Sequence, residues 1–252
     1  MSEDEPEAEL TPAAPPDRLV QAPPGTGGDA AITAEEIRMV SQPRGQIAEQ
    51  FRSLRNSIQA LNPDGAPRTV VLTSAVSGEG KTVAAVNLGI AMAELPGKEI
   101  LLVDADLHHP GLEAYVGQER YMGFADVLRG TCALDGAIRP TSIEGLSVMG
   151  AGNLPDNPSK LLGSERTRIV LNMLKRRFSY VLIDTPEALA ISDASMIGAM
   201  ADGILLVVRL GYTAKHLVEQ THNQLETLGG NVLGTCLTGG DMSAATEGVE
   251  TR

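Results

Sequence analysis

The stretch VVLTSAVSGEGKTVAAVNLGIAMA, residues 70–93, changes character at its middle. An apolar run that reads as a strand ends in a glycine-containing turn, and the turn opens directly into a helical pattern. Gly78, Gly80, Lys81 and Thr82 stand at the junction. This is a P-loop: glycines let backbone N–H groups close around phosphates, and the helix N-terminus adds positive potential there. Lys81 is placed to reach the β- and γ-phosphates, and the Thr82 hydroxyl to ligate Mg²⁺. The expected cradle is Ser77, Gly78, Glu79, Gly80, Lys81, Thr82 and Val83, with ATP and Mg²⁺ as cofactors. Ala75 stands where the simplest GxxxxGK(S/T) pattern has its first glycine.

Downstream, apolar strands alternate with amphipathic segments. Strands are expected at 69–73, 99–103, 146–149, 180–183, 203–208 and 232–237, with helices near 81–94, 124–129, 164–177, 192–200 and 213–228. Helix-length connections favour right-handed crossovers, hence an α/β fold with a central, mostly parallel sheet covered by helices on both faces. Upstream, Ile47, Phe51, Leu54 and Ile58 recur at helical spacing across 46–61. Residues 1–31 are rich in Pro, Ala, Gly and acid, the composition of a disordered tail. The expected organisation is that tail, a helical segment at 32–66, one P-loop domain at 67–240 and a flexible end at 241–252 that lacks Tyr.

Hydrophobic residues make up 42% of the chain but aromatics only 3%, so aliphatic side chains must fill the core. The formal charge of −12 argues against nucleic acid as a partner, because such a binder needs a basic stripe to displace counterions. Cys132 and Cys236 are read as solitary core thiols, without the spacing of a metal knuckle. With neither a signal sequence nor a long apolar run, the expected location is cytoplasmic.

Two acidic segments follow apolar strands: ILLVDADLHHP at 100–110 presents Asp104 and Asp106, and YVLIDTPE at 180–187 presents Asp184. A carboxylate placed directly after such a run costs too much to bury without a cation or hydrogen-bond donors. Beside a P-loop, Thr82, Asp104 and Asp184 are therefore the candidate metal residues, and Lys81, Asp104, Asp106 and Asp184 the candidate catalytic ones. His108 and His109 do not suggest a metal pair, because neighbours on an extended segment point to opposite sides.

Taken together, these residues resemble the bacterial tyrosine kinases that accompany polysaccharide co-polymerases, within the MinD/ParA-like branch of P-loop NTPases. The likeness extends to GFADVLRG at 123–130, GNLPDNPSKLLGSER at 152–166, DTPEALAISDA at 184–194 and DGILLVVR at 202–209. It implies an ATP-dependent protein tyrosine kinase that regulates capsule or exopolysaccharide polymerisation and export. Protein tyrosines are then the substrates, and a separate membrane adaptor recruits the kinase to the inner face of the membrane. The EQFRSLR segment implies that Glu49, Arg52 and Arg55 help close a ring-like homo-oligomer. Asp106 is the candidate acceptor of the substrate hydroxyl proton.

The chain departs from the family pattern at three places. His108 and His109 replace an arginine pair, Thr238 stands in place of an Asn near the adenine, and LTGGDMSAATEGVETR at 237–252 holds no tyrosine cluster. Tail autophosphorylation is not expected, and Tyr115 and Tyr121 are the internal tyrosines that chain position makes most reachable. Two other functions share these motifs: a catalytically weakened structural regulator of an export complex, and a ParA/MinD-type positioning ATPase. The signature lysine of the latter would fall at Val76.

Overall fold

The computed structural model describes residues 31–66 and 68–239; the tails expected at 1–31 and 241–252 lie, but for residue 31, outside them. Seven strands form one sheet: β1 (Arg68–Ser74), β2 (Ile100–Asp104), β3 (Arg139–Pro140), β4 (Leu146–Met149), β5 (Tyr180–Asp184), β6 (Gly203–Arg209) and β7 (Val232–Thr238). Their spatial order is β3-β4-β2-β5-β1-β6-β7, and every pairing is parallel except β3 with β4. The expected strands are all present, within a residue or two at their ends. The two-residue β3 was missed, because a strand that short carries no period to read.

Alternation along each strand divides the core in two. Val71, Leu101, Val103, Val181, Ile183, Ile204 and Leu206 point to one face, while Val70, Leu72, Ile100, Leu102, Leu182, Leu205 and Val207 point to the other. The second face is covered by α1 (Arg38–Ser41), α2 (Gln46–Ala60), α3 (Lys81–Ala93) and α4 (Leu112–Tyr115). On the first lie α5 (Phe124–Arg129), α6 (Leu134–Ala137), α7 (Pro158–Leu162), α8 (Glu165–Lys175), α9 (Asp193–Gly198) and α10 (Lys215–Thr227). Both faces being covered explains why the central strands read as unbroken apolar runs. The short helices α1, α4, α6 and α7 escaped sequence reading, since four or five residues cannot display an amphipathic repeat.

The segment before β1 belongs to the same core. Ile37, Met39, Ala48 and Ile58 are buried in the second cluster. Asn87, itself buried in α3, fixes the segment: its Oδ1 accepts from Met39 N at 3.0 Å and its Nδ2 donates to Glu36 O at 3.1 Å. Both cysteines are free; Cys236 is buried, which pushes its thiol up to about 11, and Cys132 is half-buried. Among the described residues no helix is long and apolar enough to cross a membrane.

Candidate active site

β1 carries the chain to the P-loop at the carboxyl edge of the sheet, the edge where open α/β sheets bind ligands. Gly78 and Gly80 have φ of 80° and 87°, in the left-handed region that a side chain resists. Gly80 is the N-cap of α3, so the N–H groups of the first turn have no intrahelical acceptor and are available to phosphate oxygens. Lys81 opens that helix, and its Nζ rests 3.7 Å from Glu187 Oε2. The loop bearing Glu187 is stitched to β1: Thr73 Oγ1 donates to Pro186 O and Ala188 N to Ser74 O, each at 2.8 Å. Glu187 was missed at the sequence level, where nothing marks an acid three residues after Asp184.

Asp104 and Asp184 end neighbouring parallel strands and are in register, which brings their carboxylates to one level of the sheet edge. Thr82 Oγ1 donates to Asp184 Oδ2 at 2.6 Å, joining the P-loop helix to that level. The other oxygen of Asp184 is buried without a partner. Burial, and after it the charge of Asp104, holds the Asp184 carboxyl well above the usual carboxylate range. Burial likewise pushes Asp104 up to about 7, against the N–H groups of Leu112, Asp106 and Gly111 that favour its charged form.

A half-buried hydroxyl and carboxylates that resist ionisation make a set of hard oxygen donors, a chemistry that fits Mg²⁺. Among the described residues no three Asp, Glu, His or Cys side chains converge into a cage able to hold an ion unaided.

Asp106 is half-exposed and bends the following loop, its Oδ1 accepting from His108 N at 3.1 Å and His109 N at 2.8 Å. Its charge is felt at both Asp104 and Asp184, so all three acids share one site. His108 Nε2 lies 3.0 Å from Asp193 Oδ2, whose other oxygen accepts from Ser159 Oγ at 2.5 Å. This buried Asp193 latches the loop after β2 to α7 and α9; only the tertiary contact reveals it.

Folding gives several of these side chains partners that their place in the chain does not show. Glu79 does not offer its side chain to the cradle: it is fully buried and accepts from Val76 N at 2.8 Å, from Arg209 N at 3.2 Å and from the Thr213 hydroxyl. It braces the P-loop against the loop after β6. Glu79→Ala removes the acceptor of three part-buried hydrogen bonds, at an expected cost of about 1–2 kcal/mol. Urea unfolding should show a lower midpoint at the same slope, and an unmoved midpoint would remove the brace. Val83 packs its side chain into the second core cluster, leaving only its backbone N–H for the cradle.

The order of the tyrosines reverses. Tyr212 is 58% exposed, and a Cβ at Gly78 would lie 3.5 Å from its hydroxyl. Tyr115 packs on the second core cluster, and Tyr121 is half-buried beneath the Arg139 guanidinium. Chain position near Asp106 misled because α4 turns Tyr115 inward. Tyr180 is 4% exposed, as its strand demands.

Arg52 and Arg55 do not stand free on the surface of α2. Arg52 grips the Glu94 carboxylate with Nε at 2.9 Å and Nη2 at 2.6 Å, and Arg55 Nη1 reaches it at 3.1 Å. Arg55 also donates to Ala91 O at 2.8 Å, and Glu49 pairs with Arg52 at 2.5 Å. The motif thus ties α2 to the end of α3 within one chain. Glu94, 39 residues further along than Arg55, could not be matched to it from spacing.

Residues 68–232 match the family described as "AAA domain". Tyrosine-protein kinase YwqD of Bacillus subtilis is 32% identical over 208 residues, which are 82% of this chain and 87% of that protein. Some longer relatives are spanned over only 24% of their length. The kinase domain of Escherichia coli tyrosine kinase ETK superposes with a TM-score of 0.77 at 29% identity, over 81% of this chain and 79% of that one. MinD of Pyrococcus horikoshii, solved with Mg-ADP, shares the fold at a TM-score of 0.59 and 24% identity, over 73% and 78% of the two chains. With its P-loop, its paired strand-end acids and this extent of likeness, the chain belongs to the bacterial tyrosine kinases, a family of P-loop ATPases.

Proposed function

We propose that the chain transfers the γ-phosphoryl group of ATP·Mg²⁺ to protein tyrosines, and in doing so regulates polysaccharide polymerisation and export. The observation that carries this reading is the bond from Thr82 to Asp184 beside an unpartnered buried Asp184 oxygen, in register with Asp104. In this reading the P-loop N–H groups hold the phosphates and Lys81 leaves Glu187 for the β/γ oxygens. Thr82 and Asp184 would hold Mg²⁺, with Asp104 and Asp106 placed to order its waters. When bound, the ion supplies charge stabilisation for the transferring group. Asp106, the most exposed of the three acids, accepts the tyrosine hydroxyl proton. The new bond joins the tyrosine oxygen to phosphorus, the bond to the β–γ bridging oxygen breaks, and ADP leaves. Because tyrosine has a pKa near 10, positioning contributes more than basicity.

The acceptor is a tyrosine of a partner or of another copy, with Tyr212 the reachable internal site. A separate membrane adaptor presents the kinase to the export machinery. Mass spectrometry after incubation with ATP·Mg²⁺ and an adaptor tail tests this. Phosphotyrosine is expected and Tyr180 stays unmodified, whereas transfer only to Ser or Thr removes the assignment. One observation favours a nucleotide-bound regulator instead: His108, at a position where the family has an arginine, commits its Nε2 to Asp193. ATP hydrolysis without any protein phosphorylation would select that alternative.

Glu49, Arg52 and Arg55 are assigned to ring assembly. Since the two arginines also hold Glu94, replacing all three residues by Ala should cost the single chain about 1 kcal/mol. Sedimentation with ATP·Mg²⁺ should show a large species in the parent and not in the folded triple variant. The same large species in both would end this role.

A further inference from the structure

A groove of about 430 Å³ opens near the strand-end acids, lined by Arg120, Tyr121, Met122, Gly152, Asn153 and Leu154. It lies at the carboxyl edge of the sheet because β4 runs parallel to β2, with Met149 beside Val103. The chain therefore leaves β4 at the level of Asp104, and Gly152 follows after about 10 Å of extended chain. Asp126 fixes the floor of the groove. Its carboxylate accepts from Gly123 N, Asn153 N and Asn153 Nδ2, each at 3.0 Å, and from Arg129 at 2.7 Å. Gly152 has φ of 81°, and a Cβ there would collide with Asp126 Oδ2, so the chain passes this point only as glycine.

Arg120 is the charged side chain of the lining, and it is exposed. Its Nη2 donates to Gly152 O at 3.1 Å, which holds the guanidinium at the rim, and among the described residues no carboxylate pairs with it. Its charge is felt at Glu113, but that carboxylate is buried against Arg139. Glu119, next to Arg120 in the chain, does not line the groove, and Arg129 is balanced by Asp126. What the groove presents is one unbalanced positive charge on a rigid floor. Tyr121, Met122 and Leu154, the last 41% exposed, supply apolar surface beside it.

We propose that this groove seats the acceptor segment of a partner protein, an extended stretch that bears its tyrosine about three residues from an aspartate or glutamate. The inference rests on the tyrosine-kinase reading above. With the tyrosine at the strand-end acids, about three residues of extended chain reach Gly152 and the guanidinium bound to it, whose planar fork suits a carboxylate. An apolar neighbour of that acid lies on Met122 and Leu154. A second copy of this chain does not meet the description. Arg209 and Lys215 stand three residues to either side of Tyr212, and none of Tyr115, Tyr121 and Tyr180 has an acid at that spacing. The acceptor therefore belongs to another protein.

The test uses the fluorescein-labelled peptide LEGAFAGEL, in which Phe replaces the acceptor tyrosine so that binding is read without transfer, beside LQGAFAGQL and LKGAFAGKL. Anisotropy is followed as each is titrated with the full chain in the presence of ATP·Mg²⁺. The glutamate peptide should bind about fivefold more tightly than the glutamine one, the upper range for an exposed ion pair. Arg120→Gln, an exchange at an exposed position that spares the fold, should abolish the difference. Arg120→Glu should turn the preference toward the lysine peptide. Equal affinity for the glutamate and glutamine peptides in the parent overturns the groove. So does a preference that survives Arg120→Gln, or no saturable binding of the glutamate peptide. The tyrosine counterpart LEGAYAGEL keeps the two readings apart. No transfer to it, beside an Arg120-dependent preference, removes the kinase reading and leaves a docking groove for acidic segments, whereas transfer beside equal peptide affinities removes the groove alone.

Discussion

Asp184→Asn should cut phosphoryl transfer by about a hundredfold or more and yet raise the melting temperature of the nucleotide-free protein. The carboxylate is buried, one of its oxygens has no partner, and Asp104 and Asp106 stand close enough to oppose its charge. Asn keeps an oxygen for the Thr82 hydroxyl but removes the charge that a cation needs. Since burial raises the folded-state pKa, the folded chain binds more protons than the unfolded one above the ordinary carboxylate range. Stability from this group is therefore lost as pH rises through the raised value, and the charged form is the costly one. The gain from Asn should appear at pH 8 as roughly 2–4 °C, the shift that ~1 kcal/mol gives a chain of this size. The gain should shrink as the pH falls toward the ordinary carboxylate range, because the raised carboxyl of the parent is progressively neutralised. A variant that is less stable than the parent at pH 8, or that turns over normally, contradicts the role assigned to Asp184.

Lys81→Met should lower ATP affinity or turnover by at least about tenfold, ~1.4 kcal/mol, through loss of a charge-assisted contact to phosphate. The side chain is mostly buried at the mouth of α3 and has Glu187 as its partner. Removing it strands Glu187 near the phosphates as well, so repulsion adds to the lost attraction. Glu187→Gln offers a cross-check: it frees Lys81 while sparing the P-loop, and nucleotide affinity should hold or improve. If Lys81→Met folds and binds and turns over ATP as the parent does, the P-loop is not the nucleotide site.

The P-loop, the strand-end acids and the alternating strands were all legible because each is a local pattern. A glycine-rich turn between strand and helix, or a carboxylate after an apolar run, is defined by residues adjacent in the chain. Strand-end acids also gather for a topological reason, since parallel strands deliver their carboxyl ends to one edge. That logic placed Asp104 and Asp184 together, and their register then brings the two carboxylates to one level.

Roles set by distant partners were not legible. Glu79 looks only like a cradle residue in GEGK, yet its carboxylate accepts from Arg209 N and the Thr213 hydroxyl, about 130 residues away. Arg52 and Arg55 look like a free charged face until α3 presents Glu94. Tyr115 and Tyr212 exchanged their expected exposure because α4 turns one inward and the loop after β6 carries the other over Gly78. By itself, then, the sequence determined the fold class, the phosphate cradle and the acids at its edge, since period, turn chemistry and the cost of burying charge act over a few residues. Which side chains brace that site, which surface they leave open, and where Arg120 meets Gly152 near the acids were decided only by tertiary packing, because hydrogen-bond partners and burial depend on segments that the chain brings together only when folded.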